Sequence, residues 1–184
     1  PETMGSGASF VDLDGDGWPD ILLINSKDWA PKGRKSLPAL YRNNHDGTFT
    51  DVSDSAGVAT PCWAMGATVG DYNNDGWPDL FVANYIDMDL KTAPAPESGP
   101  CLHKNIQVAC GPPGLQGGKN ILYHNNGDGT FTDLTDKAGL QGIHPKYGKT
   151  YSVSAGWFDY DNDGLLDLFV VNYLNWSLKT APPC

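Results

Sequence analysis

The chain of 184 residues is long enough for one or two domains, and its 40% hydrophobic content is ample for a packed core. No stretch approaches the roughly 18 apolar residues of a membrane-spanning helix. A net charge of −10 argues against nucleic acid as a partner, since that requires a basic face. Eleven of the 22 Asp and Glu residues lie in three short loops, so the acidity belongs to three sites.

The beginning of the chain and its four cysteines bear on how the protein is processed. The chain starts with Pro1 and has no basic-then-apolar signal segment, so we expect a processed product or a piece of a longer protein. The cysteines, Cys62, Cys101, Cys110 and Cys184, form no CxxC pair, which argues against a zinc or redox motif. Cys101 and Cys110 flank a Pro/Gly-rich loop, where they either close a small disulfide, typical of an oxidising compartment, or remain thiols.

Two sequence segments recur along the chain. An Asp-rich segment begins at Ala8, Ala67 and Ala155, with successive copies 59 and 88 residues apart. A Leu-Tyr segment begins at Leu40 and Leu122, and both copies contain Asn-x-Asp-Gly-Thr-Phe-Thr-Asp. One repeating unit is therefore an Asp-rich segment followed by a Leu-Tyr segment, and residues 1–184 form a single repeat region.

The repeats predict three units in chain order. Unit one covers 6–58, unit two covers 65–140 with an insertion at 86–119, and unit three runs from 152 to 184. Long loops on a rigid scaffold often carry function, so the Pro-rich insertion is the predicted partner-binding feature. The alternative is a disulfide-pinned cover over a blade edge.

Each unit is predicted to contain four short strands in two hairpins. The apolar runs 21–24, 80–83 and 168–171 have the length and composition of buried strands. The Asp-Gly pairs at 46–47 and 128–129 lie between strand-like segments and indicate hairpin turns. Four antiparallel strands per repeat is typical of a propeller blade, so the predicted fold is all-β with propeller-type blades.

The three Asp-rich loops read Asp-x-Asp-x-Asp-Gly-x-x-Asp, with Asn at the third position of the second loop. Alternate residues of a tight loop point inward, so positions 1, 3, 5 and 9 can converge on one cation, joined by the backbone carbonyl of position 7. An oxygen-only set selects a hard cation, and a flexible multi-carboxylate loop favours Ca²⁺ over Mg²⁺. The predicted metal ligands are Asp12, Asp14, Asp16, Trp18 and Asp20; Asp71, Asn73, Asp75, Trp77 and Asp79; and Asp159, Asp161, Asp163, Leu165 and Asp167.

Electrostatic repulsion makes a bound cation close to obligatory in such a loop. Two carboxylates about 4 Å apart repel by roughly 4 kcal/mol at an effective dielectric constant near 20. We therefore expect three structural Ca²⁺ ions, one per loop, with binding coupled to local folding. One alternative is an Asx-rich turn without an ion. An EF-hand is excluded because it needs Glu at position 12, where this chain has Leu23, Val82 and Val170.

These motifs resemble the FG-GAP/VCBS repeats, the calcium-binding blades also found in integrin α subunits. Segments 1–5, 109–115 and 122–131 are further similar to secreted proteins of the cartilage acidic protein type, the ASPIC/UnbV group. The resemblance implies an extracellular protein, with seven blades in a complete family member and ions in loops on one face. This chain lacks the Phe-Gly and Gly-Ala-Pro motifs that give the FG-GAP repeat its name, and it has fewer than three complete units. We therefore expect an incomplete propeller of about two and a half to three blades.

The function predicted from these features is non-enzymatic. The chain has no Gly-x-Ser-x-Gly, P-loop or zinc-hydrolase motif, and His45 and His124 are predicted to lie on the surface of hairpins. We expect a secreted or cell-surface scaffold for adhesion, whose calcium-fixed loops contact a protein or glycan, with glycosylation of the Thr/Pro-rich loops. The alternatives are a structural subunit that associates with itself through open blade edges into a filament, and a sugar-active enzyme or lectin.

Overall fold

The structure, a computed structural model, describes residues 7–25, 37–87, 102–103, 105–107, 115–146 and 148–173. These residues form antiparallel sheets and one short helix, which confirms the predicted all-β class. The strands of the three main sheets are β1 (Gly7–Val11), β2 (Asp20–Ile24), β3 (Ala39–Asn43), β4 (Phe49–Asp51), β5 (Ala64–Gly70), β6 (Asp79–Asn84), β11 (Ile121–Asn125), β12 (Phe131–Asp133), β15 (Ser152–Phe158) and β16 (Asp167–Asn172).

The main sheets have the strand order of propeller blades. Strands β1 to β4 form the first blade in sequence order, and β5, β6, β11 and β12 form the second blade in the same up-and-down order. Strands β15 and β16 form a two-stranded hairpin, which we call the third blade. The innermost strands lie side by side, with β5 between β1 and β15. This arrangement agrees with propeller blades in succession, whereas the unit boundaries drawn from the sequence stay a prediction.

The burial of the second strand of each blade shows how the blades are stacked. All six residues of β6 are buried, because the second blade has a neighbour on both faces. Strands β2 and β16 alternate between more buried and more exposed positions, because each of these blades is covered on one face. The apolar side chains on both faces of this strand are therefore buried only in the middle blade.

The interface between the first and second blades forms the larger core. Leu80 and Val82 of β6 lie in one cluster with Leu22 and Ile24 of β2, and Tyr123 of β11 closes it from the outer side. The hydroxyl group of Tyr123 donates a hydrogen bond to the hydroxyl of Thr60 at 2.8 Å, which satisfies its polar end inside the core.

The interface between the second and third blades uses the opposite side of the same strand. Phe81 and Ala83 of β6 pack with Trp157 and Val170 of the third blade. A Cβ atom at Gly70 would lie 2.7 Å from the Trp157 ring, so this position has to be glycine for the two blades to approach. Alternate residues of one strand thus serve two different interfaces.

The segments between the blades form smaller elements. The described part of the insertion contains β7 (Ile86–Asp87) paired with β10 (Gln116–Gly117), and β8 (Leu102–His103) paired with β9 (Ile106–Gln107). A hairpin of β13 (Ile143–His144) and β14 (Gly148–Lys149) leads into the third blade. The helix α1 (Thr135–Ala138), which the sequence patterns did not predict, ends at Gly139 with a left-handed φ of 72°. Cys101, Cys110 and Cys184 lie outside the described residues.

Cys62 is the one cysteine whose surroundings the structure describes. It is buried in the core between the first two blades, and it forms no disulfide with any residue in the described ranges. Burial raises the pKa of its thiol to about 11. Its role in this part of the chain is that of a small apolar side chain.

None of the helical residues in the described ranges builds a helix of the length and apolar character needed to cross a membrane.

Replacing Phe81 with Ala should destabilise the protein by about 3–5 kcal/mol, because it opens a cavity between the second and third blades. The matched control is Phe169→Ala, which changes the equivalent residue of the third blade, where the side chain is 59% exposed. It should alter the free energy of unfolding by no more than about 0.5 kcal/mol. Urea unfolding of dilute protein measures both values, and equal losses would contradict the stacking order.

The thiol of Cys62 should resist alkylation in the native protein. At pH 8 a group with a pKa of about 11 is ionised to roughly one part in a thousand, and only the thiolate reacts. Peptide mapping after iodoacetamide treatment should show Cys62 unmodified without denaturant and modified in urea. Rapid native modification at this position would show that the blade interface is open.

Candidate metal centres in the Asp loops

The three Asp loops connect the first and second strands of each blade and share one backbone conformation. Position 4 has a left-handed φ of 70° at Gly15, 56° at Asn74 and 63° at Asn162. The glycine at position 6 is also left-handed in each loop, with φ between 87° and 93°. Two such residues within three positions curl the backbone sharply, which is why Gly and Asn occur there.

The first carboxylate of each loop closes the turn. Asp12 accepts hydrogen bonds from the backbone N–H groups of Asp16 at 3.1 Å and Gly17 at 2.9 Å. Asp71 and Asp159 accept the equivalent pairs of bonds in their own loops, at 2.8–3.1 Å. A carboxylate that accepts two such bonds still has free lone pairs, so these contacts leave it able to bind a cation.

The last carboxylate of each loop ties it to the rest of the blade. Asp20 accepts a hydrogen bond from Leu13 N at 3.0 Å and another from Asn43 N of β3 at 2.8 Å. Asp79 accepts the corresponding bond from Asn125 N of β11 at 2.9 Å. Asp20 and Asp79 are buried, whereas Asp167 is exposed. The Leu-Tyr segment therefore shapes the acidic site of its own blade.

The structure gathers three carboxylates in the first loop and three in the third. Asp12, Asp14 and Asp20 each offer an oxygen within 4.8 Å of the other two, and Asp159, Asp161 and Asp167 do the same. Oxygens that share one Ca²⁺ at 2.3–2.6 Å can be no more than about 5 Å apart, so the spacing fits that ion.

Asp14 has the least favourable surroundings among the carboxylates of the first loop. Its Oδ1 atom is buried and has no hydrogen-bond partner within the part of the chain that the structure describes. Burial, followed by the charges of Asp16, Asp20 and Asp12, raises the pKa of this carboxyl group. Asp14 and Asp20 also line a cavity of about 280 Å³ between the first two blades. A cation beside these carboxylates would satisfy both the buried oxygen and the repulsion.

The carboxylates at position 5, which the sequence predicts to be metal ligands, each make a hydrogen bond within their own loop. Asp16, Asp75 and Asp163 each accept a hydrogen bond from the N–H of position 7, at 2.8–2.9 Å, and none belongs to the gathered groups. That bond from Trp18 is the main cause of the lowered pKa of Asp16, whose other oxygen lies 2.5 Å from His45 Nε2.

The second loop differs from the other two in its chemistry. Asn73 replaces a carboxylate, and its side-chain amide donates a hydrogen bond to Asp75 at 2.8 Å. The ring nitrogen Nδ1 of His124 lies 3.0 Å from Asp79 and 3.9 Å from Asp75. Burial raises the pKa of Asp79, although its hydrogen bonds from Asn125 N and His124 oppose that shift. The second loop has the fewest carboxylates, and an amide and an imidazole lie beside them.

Two of the three residues at position 7 pack against other parts of the chain. Trp77 lies against Gly15 of the first loop and Gly127 of the second blade's outer hairpin, where an added Cβ would come within 3.1 Å and 2.7 Å of its ring. Trp18 stacks on His45 with ring centroids 5.1 Å apart, and Leu165 is 47% exposed.

Sequence reasoning missed the supporting residues from the Leu-Tyr segments. Asn125 is buried, and its side chain donates hydrogen bonds to the carbonyls of Leu13 and Pro78, which joins the hairpin to two Asp loops. His45 and His124 also contact loop carboxylates, His45 from an exposed position and His124 from a partly buried one. The repetition of Asn-Asn in both Leu-Tyr segments was the signal that could have revealed part of this support.

Comparisons with known proteins agree with this geometry. The FG-GAP-like repeat family matches residues 5–82 and 107–170. The chain is 26% identical to human Cartilage acidic protein 1 over 93% of its own length and 30% of that protein, and the mouse protein gives 26% over 93% and 31%. It is 27% identical to human Integrin alpha-6 over 91% of its length and 12% of that protein.

The chain spans about a third of the length of the cartilage acidic proteins that it matches. The matched family covers most of the chain, including all three Asp loops and both Leu-Tyr segments. With blade-type sheets and recurring acidic loops in the structure, this chain belongs to the FG-GAP-like repeat family.

Proposed function

We propose that this chain is an extracellular repeat scaffold in which Ca²⁺ at each Asp loop is structural, and whose loops or insertion bind a protein or glycan partner in adhesion. The observation that carries the proposal is the gathering of Asp12, Asp14 and Asp20, where a buried oxygen of Asp14 has no hydrogen-bond partner among the residues that the structure describes. Bound calcium would supply positive charge and be coordinated by the loop oxygens. It would not take part in making or breaking covalent bonds.

The residues that would hold the ions are those at positions 1, 3 and 9 of each loop. They comprise two sets of three carboxylates and, in the second loop, Asp71 and Asp79 with the amide oxygen of Asn73. Position 5 would join by turning one carboxylate oxygen inward, and position 7 by its backbone carbonyl, as the loop pattern predicts. An ion there would link the two ends of the Asp loop, and so the first and second strands of the blade.

Three considerations support an extracellular adhesion role. Carboxylate loops of extracellular modules bind calcium at about 10⁻⁴–10⁻³ M, which suits shallow, partly exposed sites such as the third loop. The relatives carry the names of a cartilage protein and an integrin subunit. Rigid stacked blades also present their connecting loops for contact. A disulfide of Cys101 with Cys110, which is one of the two alternatives that the sequence leaves open, and glycosylation of the Thr/Pro-rich loops would fit the same location.

Calcium should raise the thermal stability of the chain. At a free concentration about ten times the dissociation constant, which millimolar calcium reaches for a site of about 10⁻⁴ M, each site adds about 1.4 kcal/mol to the folded state. Calorimetric melting in millimolar CaCl₂, MgCl₂ and EGTA measures the effect, and calcium should give the highest melting temperature. Identical melting in calcium and EGTA would overturn the proposed role of the ion.

The substitution Asp14→Asn should have opposite effects with and without calcium. In EGTA it removes a charge that burial and its neighbours disfavour, so the variant should melt at the same or a higher temperature than the parent chain. In calcium it removes a ligand, so affinity at the first loop should fall at least about tenfold, as happens when even the outer partners of metal ligands are lost.

The matched control for this substitution is Asp54→Asn, which neutralises an exposed carboxylate outside the loops. It should leave both melting temperatures unchanged. A loss of stability for Asp14→Asn in EGTA as large as that in calcium would show that Asp14 acts through protein contacts alone.

A further inference from the structure

The three Asp loops contact one another from blade to blade. Position 4 of each of the first two loops meets position 6 or 7 of the next loop. A Cβ atom added at Gly15, position 4 of the first loop, would lie 3.1 Å from the ring of Trp77, position 7 of the second. Asn74, position 4 of the second loop, donates a side-chain hydrogen bond to the carbonyl oxygen of Gly164, position 6 of the third, at 3.0 Å. The loops are therefore neighbours in space as well as in the repeat.

The two links between the loops differ in kind. Gly15 has no side chain, so it leaves room for the Trp77 ring, and this contact is made by packing. The buried Asn125 of the second blade adds hydrogen bonds to the carbonyl oxygens of Leu13 at 2.9 Å and Pro78 at 3.1 Å, one in each of these two loops. The link from the second loop to the third is instead a direct hydrogen bond from one loop to the other. That bond can be removed by changing a single side chain.

The backbone of Asn74 explains why an asparagine can make this bond. Its φ is 56°, in the left-handed region that Asn adopts more readily than most residues with a side chain. Glycine occupies the same position of the first loop with a φ of 70°, so glycine fits this backbone conformation as well. The asparagine therefore adds a hydrogen-bond donor to a turn that glycine also forms.

The hydrogen bond from Asn74 holds the peptide group that joins positions 6 and 7 of the third loop. The carbonyl oxygen of this group, on Gly164, accepts the bond, and its N–H, on Leu165, donates to the Asp163 carboxylate at 2.8 Å. Both ends of the peptide group are therefore held. The next carbonyl along the chain is that of Leu165, a predicted calcium ligand, so Asn74 helps to position one part of the third site.

We propose that Asn74 is a positioning residue that couples the calcium sites of the second and third loops, so that occupancy of either site raises the affinity of the other. The inference rests on the proposed function, because it requires calcium at both loops. A second loop held in place by its ion also holds the side chain of Asn74 in place, so part of the ordering of the third loop is complete before that loop binds calcium. Coupling of this kind is reciprocal, so each site raises the affinity of the other by the same factor.

The coupling has its largest consequence for the second loop. That loop has three Asp residues where the first and the third have four, so it has the weakest set of ligands. It also lies between the other two loops and contacts both. Occupancy of the third site therefore compensates in part for the carboxylate that Asn73 replaces.

An NMR titration of the 184-residue chain with CaCl₂ measures the three sites separately. The backbone N–H groups of Gly17, Gly76 and Gly164 each donate to the first carboxylate of their own loop, at 2.8–2.9 Å. Because that carboxylate is a predicted ligand, each amide resonance reports the occupancy of its own loop. The strand resonances in the same spectra verify that each variant is folded.

The substitution Asp71→Asn removes a ligand of the second loop, and the coupling predicts a loss of affinity at the third. In the otherwise unchanged chain, the calcium midpoint reported by Gly164 should rise about threefold, which lies within the range that a net hydrogen bond contributes. In the Asn74→Gly background the same substitution should leave that midpoint unchanged, because the bond between the loops is gone. Asn74→Gly on its own removes no calcium ligand, so three ions should still bind.

The matched control background is Asn162→Gly. It makes the same change at position 4 of the third loop, where φ is 63° and the side chain forms no hydrogen bond with the residues that the structure describes. There, Asp71→Asn should still raise the Gly164 midpoint about threefold. A midpoint that responds to Asp71→Asn equally with and without Asn74, or that never responds, would overturn the coupling while three ions still bind. If calcium moved none of the three glycine resonances, the proposed function would fall, and the coupling with it.

Discussion

The carboxylates of the Asp loop, which joins the first and second strands of each blade, are the constraint on which the rest of the structure depends. The first Asp of each loop accepts two backbone N–H groups and closes the turn, while the last Asp begins the second strand and anchors the loop. These bonds require the charged groups to stay within a few ångströms of one another. The hairpin that starts each blade therefore holds like charges near one another, and a divalent cation would relieve their repulsion.

The acidic loops and the stacked blades are coupled through the Leu-Tyr segments. Asn125 reaches from the second blade to the loops of both the first and the second, and Trp77 lies between the first loop and the outer hairpin. Blade packing in turn buries Asp20 and Asp79, which makes their charges harder to accommodate. The third blade lacks a Leu-Tyr strand among the described residues, and its Asp167 is correspondingly exposed. The stacking of the blades and the geometry of the acidic loops therefore depend on each other.

Repetition made most of the fold predictable from sequence. The Asp-rich and Leu-Tyr segments predicted the strands, the hairpin turns and the order of the blades. Their apolar residues alternate between two interfaces with a period of two, which is typical of strands. The short helix at Thr135–Ala138 was not predictable, since four residues carry too little periodicity and the helix is anchored by a distant contact, in which the buried Thr135 hydroxyl accepts a hydrogen bond from Leu122 N. The contacts of His45 and His124 with loop carboxylates were missed for a related reason, because they join residues 29 and 45 positions apart.

The central claim is that three calcium ions neutralise the Asp loops, and counting bound ions tests it most directly. Equilibrium dialysis of the chain against about 10 mM calcium, which is at least about ten times the dissociation constants expected of extracellular modules, should give about three ions per chain when read by atomic emission, with the occupancy of the first loop lowered in Asp14→Asn. Fewer than one ion per chain at that concentration would contradict the account, because the gathered carboxylates would then be tolerated without a cation.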